Sequence, residues 1–149
     1  MGEMTWKIYN MIMARYNQKD FRSVRLRIGI LLLAVTRGKI SEILMLKVGC
    51  LKVLEKEFFI NIVHQNLFIR NSKARAMISA REKDFKYFYS IKDDKDLIFT
   101  SDFNLTSKTS ISRETFTRST NKALNLVGKS LTPAIKLTSN SLVKWDADI

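Results

Sequence analysis

Several residue types are scarce in this chain, and each scarcity excludes something. A single cysteine, Cys50, rules out an internal disulfide framework, and with one histidine it leaves no ordinary zinc site. One proline and five glycines in 149 residues leave no Pro- or Gly-rich linker and no low-complexity stretch. The longest apolar run, Ile28 to Val35, is eight residues long and interrupted by Gly29, far short of a bilayer span. No apolar block followed by a small-residue cleavage site opens the chain, so a secretory leader is not expected. Acidic residues are also few, 14 Asp and Glu against 26 Lys and Arg.

What is present follows from that imbalance. The formal charge is +12, densest over residues 1–50, where nine cations face three acids. Such an excess is unlike a neutral metabolic enzyme and points to a polyanionic partner. Apolar residues make up 46% of the chain, enough for a core and against wholesale disorder.

Periodicity supplies the elements. Thr5 to Tyr16 has helical spacing, with Trp6, Ile8, Tyr9, Ile12 and Met13 on related faces. Ser23 to Val35 reads as a buried helix, basic in its first turn, broken at Thr36-Arg37-Gly38, where Gly38 is expected to supply the turn's conformational freedom. Ile40 to Leu46 then restarts as a short helix. Beyond Val48 the pattern turns strand-like: Phe58 to Val63 and Leu67 to Ile69 read as two strands joined through His64-Gln65-Asn66. Ser72 to Ser90 has helical spacing, Lys92 to Asp96 reads as a charged turn, and Leu97 to Phe99 as a short buried segment. Ser110 or Ser112 can cap a helix that buries Phe116, Thr120, Ala123, Leu124 and Val127 and ends near Gly128. The expected fold is α+β, mainly helical with a small antiparallel sheet. Residues 1–21 form an N-terminal helical extension, and residues 22–149 form the main domain.

Two segments together carry a family signal. Ile30 to Leu46, with Thr36-Arg37-Gly38-Lys39-Ile40-Ser41-Glu42-Ile43-Leu44 inside it, resembles the start of the catalytic domain of tyrosine recombinases (the phage-integrase family). Leu137-Thr138-Ser139-Asn140-Ser141-Leu142 resembles that family's T-S-H-S-F-R stretch. Between them, Phe99-Thr100-Ser101 and Ser112 to Arg118 are similar to the linking region, most of all in integrase-like reading frames of algal organelles. The resemblance implies a DNA breaking-and-rejoining core, a double-stranded DNA partner, self-association on DNA, an intracellular and organellar setting, and no metal or cofactor. In such enzymes a Tyr hydroxyl attacks a phosphodiester. Two guanidinium groups clamp the non-bridging oxygens, a hairpin Lys protonates the leaving oxygen, and His assists proton transfer.

This chain departs from that pattern at several positions. The first Arg falls on Lys39, which keeps charge but loses the planar fork. The His falls on Asn140, and the second Arg on Val143. All four tyrosines, at 9, 16, 87 and 89, precede the second motif, so none matches the nucleophile. The chain reads as a truncated, degenerate core that binds DNA without cutting it. Lys52 and Lys56 lie nearest the expected strands as hairpin-lysine candidates. The expected DNA contacts are Arg37, Lys39, Arg113, Arg118 and Lys122, each of which also reads as an ordinary solvated charge. The rival readings are a stand-alone helix-turn-helix module, disfavoured because strand-like sequence follows Leu46, and an RNA-binding protein.

Overall fold

The computed structural model of the chain describes residues 2–62 and 65–130. Its described elements are seven helices and one two-stranded antiparallel sheet. The first helix, α1 (Gly2–Arg15), buries Ile8, Tyr9, Ile12 and Met13, a stripe at helical spacing that shares one core with the rest of the chain. The central helix is α2 (Phe21–Thr36), buried on every side from Arg27 to Thr36. That is why its second half is apolar without alternation. Around it pack α3 (Ile40–Ile43), α5 (Ser72–Ser79), α6 (Glu82–Ile91) and α7 (Arg113–Lys129).

The break after α2 differs from expectation in one respect. Arg37, not Gly38, takes the left-handed conformation, at φ 55°, and its N–H reaches the Leu33 carbonyl. Gly38 instead serves close packing. A β-carbon there would stand 3.3 Å from Thr36 Oγ1 and 3.6 Å from Ile62 Cδ1. The helix expected over 40–46 is a single turn, because Met45 and Leu46 close three-residue bonds to Glu42 and Ile43 and the chain leaves the axis.

Between Leu46 and the sheet lies a ten-residue helix, α4 (Val48–Glu57), where strand-like sequence was expected. Leu51 and Leu54, with Val48, make its buried face. Its N-terminal amides are met by the turn before Leu97: Val48 N–H donates to Asp96 O and Gly49 N–H to Asp94 O, both at 2.9 Å. Phe58 closes α4 at φ 52° and turns the chain into β1 (Phe59–Ile62), which pairs with β2 (Gln65–Phe68). Gln65 and Asn66 therefore belong to a strand rather than to the turn, opposite Ile62 and Asn61. An Asn61–Asn66 side-chain hydrogen bond of 3.1 Å ties that pair on the exposed face, while Ile60 and Ile62 point inward.

The single helical run expected from Ser72 to Ser90 is two helices. Arg81 N–H bonds Ile78 O at three-residue spacing, tightening the end of α5, and α6 starts on a new axis. The last helix matches its sequence reading. Ser112 caps α7 by accepting from Thr115 N–H at 3.1 Å, and Phe116, Thr120, Ala123, Leu124 and Val127 are all buried.

Candidate nucleic-acid interface

The turn between α2 and α3 carries two of the expected contacts, Arg37 and Lys39, and both are exposed. Lys39 is the N-cap of α3 in extended conformation, and its carbonyl accepts from Glu42 and Ile43 N–H at 3.0 Å. A one-turn helix has little dipole, so any pull on a phosphate there comes from the side-chain charges themselves. The end of β1 comes close to this turn: Ile62 Cδ1 lies 3.6 Å from where a β-carbon on Gly38 would stand. The hairpin thus stands beside Arg37 and Lys39. Neither described strand contains a lysine. Lys52 lies on α4, ion-paired with Asp94, and Lys56 lies in the last turn of α4, so neither is a hairpin residue.

The other expected contacts lie on α7. Arg113, Arg118 and Lys122 are exposed there. One face of α7 forms a wall of a groove of about 920 Å³, whose other walls are the end of α1, the start of α2 and the loop from Ser101 to Ser112. Of the residues expected from sequence, Lys122 is the one that lines it; Arg113 and Arg118 belong to other parts of the helix surface. The groove's further cations are Arg15, Arg22 and Arg25. The basic first turn of α2 is visible in the sequence, but its meeting with α7 is not. The available signal was the three-residue spacing of Arg22 and Arg25, which puts both on one helix face.

These arginines are held in place. Arg22 Nε donates to Asp102 Oδ2 at 2.9 Å, and this hydrogen-bonded pair keeps the Asp102 carboxyl below its ordinary range. Arg25 Nη1 donates to the Thr100 carbonyl at 2.7 Å, with its guanidinium 5.5 Å from the Phe21 ring centroid. Burial pulls the Arg25 value down from the ordinary arginine range, Asp102 opposing and Arg22 adding to that pull.

Behind the groove wall sits a residue that the sequence placed in a charged turn. Lys92 is buried, and its Nζ donates to Leu97 O (2.9 Å), Thr100 Oγ1 (2.7 Å) and Leu105 O (2.6 Å). It pins the 97–105 segment from inside. Desolvation brings its pKa down to about 8, with Asp96 pulling the other way and Arg25 adding to the drop. No local sequence signal marks Lys92 as different from Lys95.

The second motif, with Asn140 and Val143, and also His64, lie outside the described residues. Among the described residues, no three His, Cys, Asp or Glu side chains gather where they could hold a metal. No described helix is long and apolar enough to cross a membrane. The helix-turn-helix reading meets a physical obstacle despite the presence of α4. The N-terminal amides that a recognition helix would present are engaged by Asp94 and Asp96, and the exposed end of α4 includes Glu57. Comparison with protein families, curated proteins and solved structures returns no match.

Proposed function

We propose that this chain holds duplex DNA on its basic surface, using a fold akin to the catalytic core of a tyrosine recombinase but without that core's cleaving chemistry. The observation that carries the reading is the formal +12, displayed in part on exposed Arg37, Lys39, Arg113, Arg118 and Lys122. Phosphate contacts of this type give affinity without sequence preference. The order of elements adds support: an apolar helix, a basic turn, two short helices, then a hairpin whose Ile62 comes near that turn. A recombinase core needs the same neighbourhood, since its hairpin and its first arginine serve one phosphate. With Lys39, Asn140 and Val143 at the positions of the family's Arg, His and Arg, strand cleavage is not part of the proposal.

The test is duplex affinity measured across a salt series. Log affinity is expected to fall steeply and linearly with log salt, at about −0.9 per phosphate neutralised. No covalent protein–DNA product is expected on prolonged incubation. A flat salt response, or no binding at low salt, overturns the reading. Preferential displacement by structured RNA would assign the charge to RNA instead.

A further inference from the structure

The groove between α2, the 101–112 loop and α7 has features that duplex binding does not use. It is concave, and about 920 Å³ is the size of a pocket for a few nucleotide units rather than a bed for a double helix. Its charged lining is Arg15, Arg22, Arg25 and Lys122 against one acid, Asp102, which is already paired with Arg22. Hydroxyls of Ser112, Thr115 and Ser119 lie along the α7 wall. Next in sequence to Asp102, which lines the groove, is Phe103, outside the lining itself and 89% exposed, the most exposed large apolar side chain among the described residues. Phe68, also exposed, has a ring partner in Phe59 at 4.8 Å.

The backbone around Phe103 is anchored. The Phe103 N–H donates to Ser101 Oγ at 3.1 Å, and Lys92 and Arg25 anchor the same loop at Leu105 O and Thr100 O. An exposed flat apolar ring one residue along the chain from the wall of a cationic trough matches a flat apolar face on an anionic chain. In a duplex the base faces are stacked on one another and unavailable. In an unpaired strand they are free, and a base can stack on an aromatic side chain while its phosphates lie in a positive groove.

We propose that this groove binds an unpaired nucleic-acid strand, its phosphates against the Arg15, Arg22, Arg25 and Lys122 cations and one base on Phe103. The inference deepens the DNA-binding reading and rests on it. Duplex would use the exposed Arg37, Lys39, Arg113 and Arg118, with Lys122 at the groove's edge shared, while an unpaired stretch, such as a frayed end or a strand opening, enters the groove.

The experiment is fluorescence anisotropy of the full chain with three labelled probes: a short oligothymidylate, an abasic strand of the same length, and a duplex. Phe103→Ala is expected to weaken oligothymidylate binding by about five- to a hundredfold, the range for one lost base–aromatic stack. Abasic-strand and duplex affinities should stay unchanged, and Phe103→Trp should restore oligothymidylate binding. Lys122→Ala should weaken both single strands. If Phe103→Ala leaves oligothymidylate affinity intact, or lowers all three affinities alike, the groove assignment falls. If duplex binds and oligothymidylate does not, the groove assignment falls while the duplex reading stands. If no probe binds at low salt, both fall.

Discussion

Burying a guanidinium among leucines and isoleucines is costly unless its N–H groups find acceptors, and Arg27 meets that condition. Its Nε and Nη2 donate to the two carboxylate oxygens of Asp84 at 3.0 and 2.8 Å, and Nη1 donates to the Tyr16 and Gln18 carbonyls. One side chain thus joins α2, α6 and the turn after α1. Asp84→Ala should lower the unfolding free energy by about 3–5 kcal/mol, since it strands the buried Arg27 guanidinium, whereas Arg27→Ala should cost less because Arg81 Nη1 remains 3.6 Å from Asp84 Oδ2. The double variant Arg27→Ala/Asp84→Ala should cost much less than their sum. Urea denaturation of the four proteins tests this, and strict additivity would contradict the paired-charge account. Lys92 yields a prediction with a pH sign. Its pKa of about 8 in the folded chain lies below the 10.5 of free lysine, so above pH 8 the unfolded chain holds a proton that the folded chain lacks. Stability from this group should therefore rise with pH from about 8 towards 10, by at most about 3 kcal/mol. The window closes there because buried Tyr9 and half-buried Tyr89, whose pKa values are raised by desolvation, oppose the trend once free tyrosine ionises at 10.0. Lys92→Met should abolish the rise; matching stability profiles for variant and parent would refute it.

At the scale of elements, α2 and α7 approach so closely that one position must be glycine. A β-carbon on Gly29 would stand 2.8 Å from Phe116 Cε2 and 3.3 Å from Phe99 Cε1. Those two rings are buried edge-to-face, with centroids 5.4 Å apart, and have little room to yield. Gly to Ala inside a helix ordinarily stabilises by roughly 0.5–1 kcal/mol. Here Gly29→Ala should instead destabilise by about 1–3 kcal/mol through overpacking. Adding Phe116→Leu should recover part of that loss, and a raised melting temperature for Gly29→Ala alone would show the contact to be looser. The same crossing explains why α7 lies beside the basic first turns of α2, which gives the groove its cationic walls.

For the whole molecule, net charge and its display govern what the surface attracts. Single alanine substitutions at Lys39, Arg113 or Arg118 should weaken duplex binding about equally for unrelated sequences and reduce the salt slope by about one each. A variant that changes sequence preference without changing the slope would mark a base contact instead. Much of the architecture was legible along the chain because it is local: the apolar run of α2, the Ser112 cap and buried stripe of α7, and the β-branched, aromatic pair of strands. Helix α4 was hidden because the same Val and Leu residues suit either a strand or a helix face, and its amides are met by a turn more than forty residues away. Exposed cations on α7 and at the α2–α3 turn could be named from sequence, since solvated Lys and Arg are the ordinary case. Which cations are internal could not: Arg27 and Lys92 look like their neighbours, and only Asp84, or the Leu97 and Leu105 carbonyls with the Thr100 hydroxyl, makes their burial tolerable. The sequence by itself determined a basic, mainly helical α+β protein, because periodicity and charge are properties of the chain. Only the tertiary structure decided that Arg15, Arg22, Arg25 and Lys122 line one groove, because that meeting depends on how α2 and α7 cross.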